Sequence, residues 1–341
     1  MNKPTVHDIA KEAGVSLATV DRVLNARPGV RENTIARVQA AVDRLGYVRD
    51  TSAANLARQR QYRFAFVLPA GPSQFVDTLR AALKEASSRL VADRVLVQVV
   101  TVPTHDPHTI VRRLRSLNAE RLDGVAIMAP ETPQVRDAVD RLKEAGLAVV
   151  TLASDLPNSR RDYFVGINSI AAGRTAAFLM GRFSGGQGQI LVVTNSLRSR
   201  DSLERRLGFD AVMAEQFRQI EVLPTIESHD DPARMEAVIR SIVERRPDLT
   251  GVYSMGSGIT QVLEALRSNG AGRRLDVLAH ELTPTTARAL RNGEVAAVIA
   301  QNVGHLVRSA LRVLRTLSDR MPIFEAQERV RIEIVVRENL P

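Results

Sequence analysis

The chain has 341 residues, 44% hydrophobic and 25% charged, with 47 Lys and Arg against 38 Asp and Glu for a formal charge of +9. That length predicts two or three domains with ample core, and the basic balance makes a polyanion the first partner to consider, a merely basic soluble protein being the alternative. Cys is absent, which excludes disulfides, a thiolate nucleophile and Cys-ligated zinc, while the lack of a secretory signal or of an apolar run near the ~18 residues of a membrane span makes a cytoplasmic protein the expectation.

In chain order the pattern falls into a helical head (1–48), a connector (49–61) and a long strand–helix alternation (62–341). In the head, Thr5 and Asp8 stand in capping-box spacing, Gly14 ends the first helix, and Ser16 caps a second running to about Asn25. Pro28 and Gly29 break the chain. A third helix is expected from Arg31 to Leu45 with Ile35, Val38, Ala41, Val42 and Leu45 on one face, stopped by Gly46. Small Ala10 faces the Gly14 turn, and Ile9, Val15, Val20 and Val23 are available to pack, which is helix-turn-helix spacing.

The second helix would expose Leu17, Ala18, Asp21 and Arg22 to a major groove. Arg22 can bond guanine O6 and N7 with both arms, whereas Leu17 and Ala18 offer apolar contacts such as a thymine methyl. Thr5, Ser16, Thr19, Asn25 and Thr34 are placed to bond phosphates. A plain three-helix bundle with no ligand would use the same apolar positions. Residues 1–60 hold ten basic against six acidic side chains, a net +4, almost half of the total charge in under a fifth of the chain.

The segments Thr5-Val-His-Asp-Ile-Ala-Lys-Glu-Ala-Gly-Val-Ser, Ala18-Thr-Val-Asp-Arg-Val-Leu-Asn and Leu45-Gly-Tyr resemble the DNA-binding head of the lactose-repressor (LacI) family, and the match covers the whole head. The resemblance implies a homodimer whose heads read the two halves of an inverted-repeat operator in double-stranded DNA. It also implies that the connector folds into a hinge helix on DNA. Asp21 departs from the Ser of many members. In the connector, Leu56 matches the hinge leucine that wedges into the minor groove, trading base unstacking for a bend. Asn55 stands where many relatives have a basic residue or Gln. Ala53 and Ala57 are small enough for two hinge helices to touch. The segment is too short for a stable isolated helix, and a solvated linker is the alternative.

Beyond Tyr62, short apolar runs alternate with helical patterns: Phe64 to Leu68, Val95 to Val102, Val125 to Met128, Ala148 to Leu152 and Ile190 to Val193. They continue at Val252 to Tyr253, Val277 to Ala279, Ala296 to Ala300 and Ile332 to Val336. Such runs predict parallel strands buried on both faces. Two open α/β lobes fit best, a single barrel being the alternative. The first lobe is expected at about 62–163 and 295–322, the second at about 164–294 and 323–341.

Ligands of open α/β sheets sit beyond the strands' carboxyl ends, where Gln74, Phe75, Ser154, Asp155, Asn195, Gly256, Ser257, His280, Glu281 and Gln301 gather. The arrangement resembles the periplasmic sugar-binding proteins of the ribose type, through Tyr163-Phe-Val-Gly-Ile-Asn, Ala172-Gly-Arg, Glu204-Arg-Arg-Leu-Gly-Phe and Ile299-Ala-Gln. That likeness implies a periplasmic-binding-protein-like domain binding a carbohydrate effector. Arg205 and Gln301 then fall on sugar-contacting positions and Phe75 on a stacking ring. The expected effector set is Gln74, Phe75, Asp155, Arg205, Glu281 and Gln301. Three positions depart: Glu281 for Asp, Gly256 for Asn, and Ala153-Ser154 for an Asp-Arg pair.

No cofactor and no metal are expected. Gly186-Gln-Gly188 precedes a strand, the reverse of a dinucleotide site, and no Walker pattern occurs. Met255-Gly-Ser-Gly lacks nucleophile-elbow spacing. His105 and His108 flank Asp106-Pro107 in what reads as a loop. His280 beside Glu281 is the one constellation that keeps an enzyme in play. The leading expectation is a non-enzymatic, effector-controlled transcriptional regulator, a repressor. The alternative is a cytoplasmic sugar-binding protein or sugar-metabolising enzyme with an accessory helical domain.

Overall fold

The computed structural model describes residues 4–24, 28–47, 60–90, 94–104, 106–229, 231–268 and 275–341. The chain divides into two compact units, Met1–Arg60 and Gln61–Pro341. Asn25, Asn55, Leu56, Ala53, Ala57 and His105 lie outside the described residues.

The head is built by its helix ends. In α1 (Val6–Ala13) the Thr5 and Asp8 side chains close a capping box, and Gly14 ends the helix at φ 61°. A β-carbon is strained there. Arg37 of α3 (Glu32–Leu45) donates to the carbonyls of Ala13 at 2.5 Å and Gly14 at 3.3 Å, tying α3 to the end of α1. The Thr19 amide donates to Ser16 Oγ at 3.2 Å at the start of α2 (Leu17–Leu24). Ile9, Ala13, Val20, Val38 and Ala41 form the small core, with Val15 and Val23 against it. Val6 and Ile35 are exposed instead, because a core this small leaves the first turns of α1 and α3 uncovered.

The larger unit holds two sheets. The first is ordered β2-β1-β3-β4-β5, from β1 (Tyr62–Pro69), β2 (Val95–Val102), β3 (Gly124–Ile127), β4 (Ala148–Leu152) and β5 (Tyr163–Val165), all parallel. The second runs β12-β11-β10-β9-β6-β7, from β6 (Gly188–Thr194), β7 (Ile220–Val222), β9 (Leu249–Ser254), β10 (Asp276–His280), β11 (Ala297–Gln301) and β12 (Ile332–Val335), with β8 (Ile226–Glu227) also paired to β6. This is the expected two-lobed α/β architecture. Two edge strands depart from the buried-parallel expectation. β2 is exposed along much of its length, and β12 is antiparallel to β11. Strands β5, β7 and β8 are too short to leave an apolar run.

The chain passes between the sheets three times. After β5, Asn168 caps α7 (Ser169–Phe183), which packs on the second sheet; after β11, Asn302 caps α12 (Val303–Ser318), which packs on the first. Both Asn residues have φ −71° and ψ 103°. The first lobe was expected to resume near residue 295, but β11 pairs with β10, so the return follows Gln301. The third passage, through the short α13 (Glu325–Glu328), is pinned by Glu328, which accepts two bonds from Arg312 at 3.0 and 2.8 Å and one from Ser309.

Candidate functional site

In the head, the fold turns one face of α2 outward. Val20 is buried, Leu17 is 42% exposed, and Ala18, Asp21 and Arg22 are exposed beside it. A leucine left in water at the start of a short helix contributes little to the core. Thr5 and Ser16 are exposed, while Thr19 and Thr34 are half-buried. The Thr5 and Ser16 hydroxyls also serve as helix caps, so a phosphate contact there would share an oxygen with capping.

The second candidate lies between the two sheets of the larger unit, a cavity of about 480 Å³ lined from both. Its floor is set by Arg205 on α8 (Arg200–Gln216), which is 3% exposed. Helices α7 and α8 cross at glycines: a β-carbon on Gly173 would fall 2.0 Å from the Arg205 carbonyl, and one on Gly208 2.1 Å from that of Ile170. That backbone approach fixes where Arg205 enters the cleft, and it explains why Ala172-Gly-Arg and Leu207-Gly-Phe belong together. Arg205 donates to the Met255 carbonyl at 2.6 Å and to Glu281 Oε1 at 3.2 Å, with Asp201 at 3.6 Å. Gln301 Nε2 donates to the same Glu281 oxygen at 3.0 Å.

Glu281 has φ 66° and Ala153 φ 61°. Both are strand-end residues in the left-handed region, strain that recurs at ligand sites. Burial pushes the Glu281 carboxyl above its ordinary range, against the opposing pull of Arg205 and Gln301. Burial, aided by Arg205, pushes His280 well below its usual value, and its Nε2 pairs with the Tyr253 hydroxyl at 2.7 Å. His280 thus meets Tyr253 through Nε2, while Oε1 of the neighbouring Glu281 is shared by Arg205 and Gln301.

Five buried polar atoms on cavity-lining side chains have no hydrogen-bond partner among the described residues: Ser154 Oγ, Arg205 Nε, His280 Nδ1, Glu281 Oε2 and Gln301 Oε1. Such atoms each cost on the order of 1–3 kcal/mol unless a ligand or water meets them.

Of the six expected effector residues, Gln74, Phe75, Arg205, Glu281 and Gln301 line the cavity and Asp155 does not. Asp155 is bound by Arg161, through Nη2 at 2.6 Å and through Nε, and by Thr151 at 2.7 Å. Although burial raises its carboxyl, these bonds carry it below the ordinary value. The turn after β4 points Ser154 at the cavity and Asp155 away from it. Gln74 spans the cleft mouth: its Nε2 donates to Thr285 Oγ1 at 2.7 Å, and its Oε1 accepts from the Thr285 amide at 3.2 Å. A second link joins Glu131 of the first lobe to Arg200 of the second at 3.4 Å. Sequence reasoning missed Asp201, although it lies one helical turn before Arg205. It also missed Arg161, Thr285 and Glu131, whose partners are distant in sequence or leave no spacing signal. Among the described residues no cluster of three or more His, Asp or Glu could hold a metal ion, and no helix is long and apolar enough to cross a membrane.

Comparison with known proteins matches residues 5–50 to the bacterial regulatory proteins of the lacI family and residues 64–320 to the periplasmic binding protein domain. Catabolite control protein A of Streptococcus mutans is 28% identical over 162 residues, 47% of each chain. The ribose operon repressor of Escherichia coli is 24% identical over 265 residues, 76% of this chain and 77% of that one. The alignment thus spans about half the length of the first of these relatives. A solute-binding protein of an ABC transporter from Burkholderia graminis, in complex with D-arabinose, superposes with a TM-score of 0.73 at 27% identity, covering 82% of this chain and 96% of that one.

Proposed function

Because the chain belongs to the lacI family of bacterial regulatory proteins and carries a periplasmic binding protein domain behind its head, we propose that it is a sequence-specific transcriptional regulator, a repressor, controlled by a carbohydrate-type effector. The head reads an operator with Leu17, Ala18, Asp21 and Arg22, while Thr5, Ser16, Thr19, Asn25 and Thr34 serve the phosphates. Asn55 and Leu56 act in the minor groove between half-sites. The effector binds Phe75, Arg205, Glu281 and Gln301, with Ser154 in the place that Asp155 was expected to fill, while Gln74 at the cleft mouth is held by Thr285. The carrying observation is the set of five unpartnered buried polar atoms around the cavity. They include a donor, Arg205 Nε, and an acceptor, Gln301 Oε1, as ring hydroxyls require.

The functional protein is a homodimer on an inverted repeat. Supporting this, the edge strand β2 reads Val-Leu-Val-Gln-Val-Val-Thr-Val, with no charge or proline to blunt it, and exposes Leu96 and Val99; such an edge calls for a cover. Only an effector with different affinity for two lobe arrangements can shift operator binding, and the Gln74–Thr285 and Glu131–Arg200 links are contacts that opening would break. Repressor and binding-protein names among the relatives, together with the arrangement of His280 and Glu281, favour this over an enzyme.

A thermal-shift screen of sugars, sugar acids and polyols, followed by a gel-shift titration on selected DNA, tests the reading. Stabilisation by a ligand that also changes operator affinity is expected. Sugar turnover with no DNA binding would establish the enzyme alternative instead.

A further inference from the structure

The two walls of the cleft differ in chemistry. The second lobe presents Ser196, Arg198, Asp201, Arg205, Ser257 and Glu281, a wall of donors and acceptors. The first lobe presents Ala70, Phe75, Met128, Ala129, Pro130 and Ala153. Most of its polar groups are already engaged. The Gln74 amide is taken by Thr285, Thr104 donates to the Ala70 carbonyl at 2.8 Å, and Ser73 Oγ accepts from the Val76 amide at 3.4 Å. That leaves Ser154 Oγ, buried and unpartnered, and the exposed Asp77 at the rim.

A fully hydroxylated sugar carries hydroxyls around its whole rim. Enclosed between these walls, those directed at the second lobe find partners, while those directed at the first lose water and gain nothing beyond Ser154 and, at the rim, Asp77. An apolar substituent in the same place is removed from water against carbon. We propose that the cleft selects an amphipathic sugar: its hydroxyls face Arg205, Glu281 and Gln301, and an apolar substituent, either a deoxy methyl or an alkyl or aryl aglycone, lies on the wall of Phe75, Met128, Ala129 and Pro130. This rests on the carbohydrate reading above and narrows it to deoxysugars and glycosides. An apolar wall discriminates against an added hydroxyl by roughly ten- to a hundred-fold.

The test is calorimetry on the full-length protein with matched pairs: D-galactose against D-fucose, L-mannose against L-rhamnose, and D-glucose against its methyl and phenyl β-glucosides. The deoxy or glycoside member is expected to bind at least about ten-fold tighter than its parent in the pair that fits. Met128→Gln, and separately Pro130→Ser, should narrow that preference while each variant keeps the parent's melting temperature. Hydroxylated parents that bind as tightly as their partners would overturn the selectivity and leave the carbohydrate reading standing. Silence from every member at millimolar concentration would overturn that reading, and this inference with it. A preference untouched in both folded variants would overturn the wall as its cause.

Discussion

The head and the cleft carry their functional groups under opposite conditions. On α2, Arg22 and Asp21 are exposed to water, where a polar group stays solvated and costs nothing. The recognition face is therefore legible only through what it fails to do, which is to pack: Leu17 stays 42% exposed while Val20, three residues on, is buried. In the cleft, Arg205, Glu281 and Gln301 are buried with atoms unpaired. Their pairing within the protein is unfinished, which leaves them to a ligand or water. An exposed site is argued from composition and periodicity, a buried one from unfinished pairing.

The contrast is sharpest for Arg205. Arg205→Ala leaves Glu281 and Asp201 without their shared cation, and breaking a buried pair in this way costs about 3–5 kcal/mol. Denaturant melts should show a loss of that order, whereas Arg22→Ala on the head should change stability by less than about 0.5 kcal/mol. Equal losses would erase the distinction.

Asp155 separates burial from function within the cleft region. Asp155→Asn breaks a partly buried pair with Arg161 and should cost about 1–3 kcal/mol of stability, with ligand affinity unchanged. Since the folded carboxyl titrates below the unfolded one, its contribution is present above the ordinary carboxylate range and is lost as pH falls through the folded value. The variant should therefore flatten that part of the acid limb in a series of melts. Glu281, with its raised carboxyl, has the opposite sign: its contribution is lost as pH rises through the folded value.

On the DNA side, Arg22→Ala should cost about 1–3 kcal/mol in discrimination at one base of each half-site. Binding to base-substituted operators measures this, and a uniform loss over all sequences would make Arg22 a phosphate contact. The smallest effect expected is at the mouth of the cleft. Gln74→Ala removes one link between the lobes and should shift their equilibrium by about 0.5–1.5 kcal/mol, read as a change in ligand affinity with little change in melting temperature.

Much of this was legible in the chain, and for physical reasons. Capping at Thr5 and Ser16 and the stops at Gly14 and Gly46 are local, so the head's helices follow from spacing. Central strands such as Val125 to Met128 are buried on both faces and announce themselves as apolar runs. β7 and β8, of three residues and two, leave no such trace. Of the cleft, strand-end positions found Glu281 and Gln301 because strand carboxyl ends face the opening, whereas Arg205, inside a helix, was reached only through the resemblance to the ribose-type proteins. Asp155 lies off the cavity lining because adjacent residues in a turn point in different directions, and only the partner Arg161 reveals which way. Gly173 and Gly208 fall within the segments that resemble the ribose-type proteins, but their role in seating Arg205 depends on a helix crossing that no sequence window contains.

The central claim is that a ligand held by the cleft governs DNA binding by the head. Fluorescence anisotropy on a labelled operator, with and without a saturating effector, measures it directly when wild type is set beside Glu281→Ala. Asp201 remains near Arg205 in that variant, which keeps the cation compensated. The account predicts that effector changes wild-type operator affinity by roughly 5- to 150-fold, while Glu281→Ala binds operator as the ligand-free wild type does and no longer responds. A variant that responds fully would place the controlling site outside this cleft and contradict the account.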